Sequence, residues 1–222
     1  DEKDTHEARV GLLIPIIKGW MTERSLDITS DAVQIHGGMG FIEETGAAQH
    51  YRDARILPIY EGTTAIQAND LVFRKTIRDN GAAVNSLLDD IDNEMATLAN
   101  HHNTEIVKAS KSIIEANNTA RKVAAHILGG ANTPRRPAAS GSNYLMLLGT
   151  LCGGWLMTRS GAAAADALAK GETGAIGNDD FMKIKLTTMQ IYITHHLPKI
   201  SGLACTITDG DNPALAMQPE WL

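Results

Sequence analysis

Glu61 is the residue of this chain whose neighbours could make a carboxylate reactive. It lies between Tyr60 and Gly62 in the segment RDARILPIYEGTTAIQ, residues 52–67, after an apolar run and just before a helix start. A carboxylate serves as a general base only when its pKa is raised toward the working pH, and an apolar pocket raises it by disfavouring the charged form. The apolar approach ILPIY is consistent with such a pocket. Taken alone, the segment predicts a turn beside a helix cap, and a general base at Glu61 is the alternative that the residues upstream must decide.

Glycines upstream could bring a phosphate close to the backbone. In QIHGGMG, residues 34–40, a helix is expected to end at Gly37 and Gly38, with Gly40 just beyond. Backbone without side chains admits a flat or anionic group, and Gln34 can donate and accept hydrogen bonds one turn earlier. The segment is neither a P-loop nor a Rossmann fingerprint, because it lacks GK[ST] and GxGxxG. A glycine-rich helix stop remains the alternative.

Helical periodicity accounts for the elements that carry these residues. Apolar residues recur with the 3.6-residue period of a helix, and no run alternates as a strand would. The first helix is expected to reach about His36, with Pro15 as a kink or restart, because proline removes a backbone donor. Its inner stripe is predicted to consist of Leu13, Ile16, Ile17 and Trp20.

A second helix is expected after the Glu61 loop. Thr64 and Gln67 fit a capping box, which predicts a helix from Thr64 to about Asp79. Its inner side would carry Ala65, Ala68, Leu71 and Val72. Turn residues then place a boundary near residues 80–81.

Four longer helices are expected beyond this boundary, over residues 82–100, 104–128, 136–170 and 180–207. The third is rich in small residues, which allow close helix approach, so it is predicted to be the most buried. The tail from Asp209 is expected to be irregular. The predicted fold class is all-α in two parts: residues 1–80, and residues 81–222 as a second, four-helix bundle-like module.

Composition and charge narrow the class of protein. Hydrophobic residues make up 43% of the chain and charged residues 21%, as in an ordinary globular protein. A net charge of −6 without a basic stripe argues against nucleic acid as a partner. The apolar stretch at residues 144–157 is shorter than the roughly 20 residues of a membrane span, so a buried helix is expected there. Two cysteines without metal-binding spacing favour a reducing cytoplasm.

Neither histidine pair is expected to bind a metal. His101-His102 and His195-His196 are adjacent in sequence, and adjacent helical side chains project about 100° apart, so neither pair can chelate one ion without help. Glu105 could help His101 only if the helix already ran through NHHN, which reads as a turn. The sequence predicts no metal site.

Three linked motifs resemble one family. QIHGGMGFIEE, RDARI and IYEGTTAIQ stand in the order and at the spacing found in the C-terminal helical domain of the acyl-CoA dehydrogenases. This resemblance covers residues 13–79. The later helices resemble the extra C-terminal module of the longer bacterial members, including those that act on 3-methylmercaptopropionyl-CoA. The resemblance implies an FAD-dependent oxidoreductase that introduces a double bond between Cα and Cβ of an acyl thioester.

On the substrate side, the resemblance makes Glu61 the catalytic base. Its carboxylate would remove the α-proton while the β-hydrogen leaves as hydride to FAD, and its backbone N–H would bind the thioester carbonyl. Tyr60 and Gly62 would line the acyl pocket. The basic residue that meets CoA in other members falls one place off, at Arg74, which puts that role in doubt.

On the cofactor side, the resemblance implies that Thr63 touches the flavin. Gln34, Gly37 and Gly38 would contact the FAD of a neighbouring subunit, so the active site would need at least a dimer, or a dimer of dimers. Ala65 departs from the family, which often has Gln or Glu there, so contact at this position would come from backbone.

The family also has parts that these residues do not supply: an N-terminal helical domain and a β-domain that holds the flavin ring. The chain lacks an initiator Met, and the expectation is a C-terminal piece that is inactive by itself. Acyl-CoA is the expected substrate and electron-transfer flavoprotein the expected acceptor. Two alternatives stay open: an acyl-CoA oxidase, which hands the electrons to oxygen, and a non-catalytic helical oligomerisation or binding module in which Glu61 is vestigial.

Overall fold

The computed structural model describes residues 2–133, 135–172, 180–209 and 211–221. These residues are helical apart from short connections, and no strand occurs among them, which confirms the all-α class. The α-helices are α1 (Glu2–Ile35), α2 (Gly38–Phe41), α3 (Ala47–Ile56), α4 (Thr64–Asn69), α5 (Ala82–Leu98), α6 (Thr104–Gly129), α7 (Arg135–Ala169), α8 (Asp180–Ile191), α9 (Lys199–Asp209) and α10 (Asp211–Ala216). Helix α4 continues as a π-helix (Asp70–Ile77), and α8 continues as another (Tyr192–His196).

Helix α1 runs through Pro15 without a break. Its buried side is rotated from the predicted stripe: Leu12 and Ile16 are buried, whereas Ile17 is 51% exposed. Because α1 carries apolar residues on two sides, periodicity alone could not choose which side faces the core.

The other apolar side of α1 faces outward. Val10, Ile14, Ile17, Met21, Ile28 and Ile35 are each at least half exposed, and we call them the outer strip. Their spacings of three, four and seven residues place them on one line along the helix.

The second predicted helix is confirmed in its start at Thr64 and in its extent, but the prediction that Thr64 caps it was wrong. Thr63 is the N-cap, one residue before the predicted cap, and its hydroxyl accepts from the Ile66 N–H at 3.4 Å. Ala65 is exposed, whereas Ala68, Leu71 and Val72 are buried as predicted. The sequence offers two consecutive threonines, so composition could not decide which one caps the helix.

Helices α5, α6 and α7 lie within a few residues of their predicted bounds. The last predicted helix is divided, because the π-helix after α8 ends just before Pro198 and α9 begins at Lys199. The expectation of an irregular tail was wrong: α10 and a 3₁₀ turn (Pro219–Trp221) lie there.

Helix α7 lies at the centre and packs against α1, α4, α6, α8 and α9. Small residues permit this. A Cβ at Gly149 would lie 2.2 Å from Trp20 Cγ, and one at Gly153 would lie 2.3 Å from the Tyr192 hydroxyl oxygen. The expectation that α7 is a buried helix is confirmed, and none of the described helices has the length and hydrophobicity of a membrane span.

One hydrophobic core joins residues from both sides of the predicted boundary at residue 80. It contains Leu12 of α1 and Val72 of the first π-helix together with Leu87 of α5 and Leu148 of α7. The division into residues 1–80 and 81–222 stays a prediction about sequence modules. In this structure the two parts share a core.

Candidate active site

Glu61 lies in the turn that joins α3 to α4. Its φ is 53° and that of the next residue, Gly62, is 97°. A glutamate rarely adopts a positive φ, because its Cβ crowds the backbone, whereas glycine adopts one freely. A Cβ at Gly62 would also lie 2.8 Å from Gln67 Nε2. The backbone conformation therefore requires the glycine of YEGT, whereas the Gln67 side chain could move to admit a Cβ.

Two side chains of helix α1 contact this turn. The ammonium of Lys18 donates to the backbone carbonyl of Glu61, and its Nζ lies 3.7 Å from Glu61 Oε2. Beyond Glu61, the Thr64 hydroxyl donates to Glu23 Oε1 at 2.5 Å. The turn is thus fixed to α1 at Glu61 and at Thr64.

The carboxylate itself is open to solvent in this chain. The Glu61 side chain is 76% exposed, and its neighbours Ile59 and Tyr60 are 46% and 47% exposed. The apolar approach to Glu61 therefore faces outward, and the described residues do not form the closed pocket that the sequence led us to expect. The side chains are placed around the carboxylate, but they do not cover it.

The glycine segment that follows α1 is also exposed. Gln34, Gly37 and Gly38 are all open to solvent, and Gly37 has φ 59°. A Cβ at Gly37 or Gly38 would meet nothing within 4 Å, whereas one at Gly40 would lie 2.3 Å from the Val33 carbonyl oxygen. Gly40 thus permits α2 to pack back on α1, and the first two glycines leave a bare backbone surface.

The structure does not bring the two predicted segments together. Lys18, which contacts the Glu61 turn, and Gln34 are 16 residues apart on one continuous helix. At 1.5 Å per residue this is about 24 Å along the axis. Gln34 and Glu61 of one chain therefore lie at separate places on its surface.

Two further predicted residues have local partners. Arg74 is 68% exposed and its guanidinium pairs with Asp70 at 3.1 Å, one turn earlier. The exposed Thr63 uses its hydroxyl as the cap of α4.

Two family models match this chain, one in each part. The family model described as "Acetyl-CoA dehydrogenase C-terminal like" matches residues 87–218, more than half of the chain, and the one described as "Acyl-CoA dehydrogenase, C-terminal domain" matches residues 2–75. The chain belongs to the acyl-CoA dehydrogenase family. The resemblance of the three motifs is therefore confirmed at the level of the family.

Among curated members of the acyl-CoA dehydrogenase family, 3-methylmercaptopropionyl-CoA dehydrogenase of Ruegeria pomeroyi is 43% identical over 206 residues, 90% of this chain and 33% of that protein. The broad-specificity linear acyl-CoA dehydrogenase FadE5 of Mycobacterium tuberculosis is 30% identical over 211 residues, 93% of this chain and 34% of that protein. The bovine mitochondrial short-chain specific acyl-CoA dehydrogenase is 56% identical over 46 residues, 21% of this chain and 11% of that protein. The chain spans about a third of the length of the first two relatives.

A second polar cluster lies away from the Glu61 turn. His101 and His102 lie in the connection between α5 and α6, so the argument from helical projection does not apply to them. Their Nε2 and Nδ1 atoms lie 3.2 and 3.6 Å from Asp166 Oδ1 of α7. However, the Asn103 N–H donates to His101 Nδ1 at 3.1 Å, so the neutral ring carries its proton on Nε2, where a metal would have to bind. The absence of a metal site stays a prediction.

Lys18 is the residue of this site that sequence reasoning missed. It is 43 positions from Glu61, and no short-range spacing joins the two. The sequence does show a lysine among the apolar residues of α1, but that position alone does not indicate which residue the lysine contacts.

Proposed function

We propose that this chain supplies the base and part of the cofactor contacts of an FAD-dependent acyl-CoA dehydrogenase. The carboxylate of Glu61 takes the α-proton of an acyl-CoA thioester, and the Glu61 N–H donates to the thioester carbonyl where negative charge develops. Bound FAD supplies the acceptor for the hydride that leaves Cβ.

The observation that carries the proposal is the conformation of the Glu61 turn. A non-glycine residue held at positive φ is strained, and such strain persists only where the surrounding structure fixes it. Here the strained residue is a carboxylate inside YEGT of a member of the acyl-CoA dehydrogenase family. Strained residues of this kind cluster at active sites, which supports a catalytic role.

We propose that Glu61 is covered in the complete protein. The two relatives are about three times as long as this chain, so most of their residues lie outside the part that matches it and could supply the cover. Half-exposed Ile59 and Tyr60 would form one side of the acyl pocket, and Gly62 would leave room for the substrate. Arg74 would contact CoA once its guanidinium leaves Asp70.

The residues present offer a partial fit to FAD. Gly37 and Gly38 present bare backbone without an obstructing atom, and exposed Gln34 offers both a donor and an acceptor beside them. Thr63 would be the contact nearest the base. Because Gln34 and Glu61 lie far apart on one chain, we propose that they serve the FAD sites of two subunits, which makes the active enzyme at least a dimer.

We propose electron-transfer flavoprotein as the electron acceptor, with an acyl-CoA as substrate. Anaerobically reduced complete protein should pass its electrons to electron-transfer flavoprotein faster than to oxygen. Rapid oxygen consumption with acyl-CoA would instead assign it to the acyl-CoA oxidases. A cytoplasmic location stays a prediction.

The test of the base is Glu61→Gln in the complete protein. Glutamine keeps the size of the side chain but cannot take a proton, so anaerobic reduction of the flavin by acyl-CoA should slow by about 10²–10⁴-fold. Stopped-flow absorbance of the flavin measures the rate.

Glu44→Gln is the matched control, because Glu44 is an exposed acid in the neighbouring turn. It should reduce its flavin at the parent rate. An unchanged rate in Glu61→Gln would assign the proton to another group and favour the non-catalytic alternative. The 222 residues alone are proposed to be inactive.

A further inference from the structure

Lys18 contacts both the backbone carbonyl and the carboxylate of Glu61, whereas an exposed ion pair would involve the carboxylate alone. Its side chain is 28% exposed, whereas that of Glu61 is 76% exposed. The lysine thus approaches from the protein side, and its first contact is the Glu61 backbone carbonyl. The carboxylate is the second contact, with Nζ and Oε2 3.7 Å apart.

The backbone contact bears on the strained residue itself. Among the described residues only Glu61 and Asn80 are non-glycine residues with positive φ. A left-handed backbone conformation is unfavourable for a residue that carries a Cβ, and a charged donor on its carbonyl can offset that cost. The lysine therefore stabilises the conformation in which Glu61 is found.

Fixing that conformation orients two groups at once. The angle φ sets the direction of the N–H relative to the two bonds that leave Cα, namely Cα–C and Cα–Cβ, the first bond of the side chain. A carbonyl held by Lys18 at fixed φ therefore fixes the Glu61 N–H relative to the start of its side chain, and the same ammonium, 3.7 Å from Oε2, attracts the carboxylate itself.

We propose that Lys18 is a positioning residue for the dehydrogenation, which holds the Glu61 backbone so that carboxylate and N–H face one substrate. This inference rests on the proposed function, because it gives Glu61 the role of base. Lys18 acts through Glu61 and does not bind the acyl-CoA. The second tether, Thr64 to Glu23, holds the start of α4 and leaves the Glu61 carbonyl to Lys18.

Lys18→Met in the complete flavoprotein tests the inference. Methionine keeps the length and removes the donor, and small misplacements of reacting groups cost up to about 10²-fold in rate. We expect flavin reduction at saturating acyl-CoA to slow by about 10- to 100-fold, with KM changed by less than about twofold because the substrate contacts remain. Lys18→Arg, which keeps a charged donor, should recover most of the rate.

Lys111→Met is the matched control. Lys111 is exposed on α6, so this substitution makes the same change of charge away from the turn. It should leave the rate and KM unchanged. Lys18→Gln is the second variant, because its shorter and uncharged side chain weakens the contact with the Glu61 carbonyl. Should Lys18→Met fail to fold or to bind FAD, Lys18→Gln is expected to slow flavin reduction several-fold.

The decisive measurement is the double variant Lys18→Met with Glu61→Gln. If Lys18 acts through Glu61, the double variant is no slower than Glu61→Gln alone, because the group being positioned is already lost. A further slowing by the full factor of Lys18→Met overturns the inference, as does a folded Lys18→Met or Lys18→Gln with the parent rate. If flavin reduction is slow in Glu61→Gln but has the parent rate in the Lys18 variants, only the positioning role is refuted. If Glu61→Gln reduces its flavin at the parent rate, the proposed function is refuted.

Discussion

Glu94 shows at the scale of one residue how the helices are held together. It projects from α5 toward α7, where Arg159 Nε donates to Oε1 at 2.6 Å and Trp155 Nε1 donates to Oε2 at 2.7 Å. The hydrogen bond from Arg159 is the largest cause that holds the pKa of Glu94 below its usual value, and partial burial opposes it. The folded state therefore favours the ionised carboxylate.

Glu94→Gln should remove a pH-dependent part of the stability. Because the folded pKa is lowered, the contribution of Glu94 is present above the unfolded pKa of about 4.3 and is lost as pH falls through the folded value. At pH 7 the variant should lose about 1 kcal/mol of unfolding free energy, a figure reduced for partial exposure. Urea unfolding at pH 7 and pH 3.5 measures the change, and the gap between variant and parent should narrow at the lower pH.

Glu115→Gln is the control for this measurement, since Glu115 is an exposed acid on α6. It should stay within about 0.5 kcal/mol of the parent at both pH values. A deficit in Glu94→Gln that is equal at pH 7 and pH 3.5 would contradict the assigned role of the carboxylate.

The sequence located the candidate base but not its surroundings. Glu61 stands out because YEGT is a local pattern. The contact with Lys18 depends on how α1 passes beneath the turn, and spacing along the chain does not contain that information. The exposure of Glu61 could not be predicted either, because the expected pocket would depend on atoms outside these residues.

At the scale of the helices, α1 packs closely on α7 at Gly149, and a substitution there tests this packing. Gly149→Ala would place a Cβ 2.2 Å from Cγ of Trp20, an indole that has little freedom to move. Overpacking of this kind costs about 1–3 kcal/mol, against a gain of up to about 1 kcal/mol in helix propensity. We expect a net loss of unfolding free energy, measured by thermal or urea unfolding.

Gly202→Ala is the matched control on α9. A Cβ there would meet nothing within 4 Å. The same substitution should therefore raise stability by about 0.5–1 kcal/mol, because alanine has the better helix propensity. Stabilisation by both substitutions would show that Trp20 yields to the new methyl group.

Periodicity predicted the helices better than it predicted their rotation. The stripe of α6 at Ile106, Ala109 and Ile113 is buried as its spacing indicates, because the opposite side of that helix is polar. Helix α1 has two apolar sides, and there the same rule selected Ile17, which lies outside. The irregular tail was another error, since six helical residues, Asp211–Ala216, lie there.

For the whole molecule, the shared core predicts one unfolding transition. Residues from α1 and the first π-helix pack with those of α5, α6 and α7, so neither part can lose its structure without exposing apolar surface of the other. Thermal unfolding followed by far-ultraviolet circular dichroism and by tryptophan fluorescence should give coincident curves. Two separated transitions would instead show that residues 1–80 and 81–222 are independent folding units.

The outer strip of α1 affects how these residues behave when handled alone. From Val10 to Ile35 it sets six apolar side chains toward water along about 38 Å of helix, more than a monomer commonly leaves in one line. A net charge of −6 gives modest colloidal repulsion, which salt screens further. The isolated residues should therefore associate, and the apparent molar mass from light scattering should rise with concentration. Glutamates in place of Ile14 and Ile28 should keep the sample monodisperse.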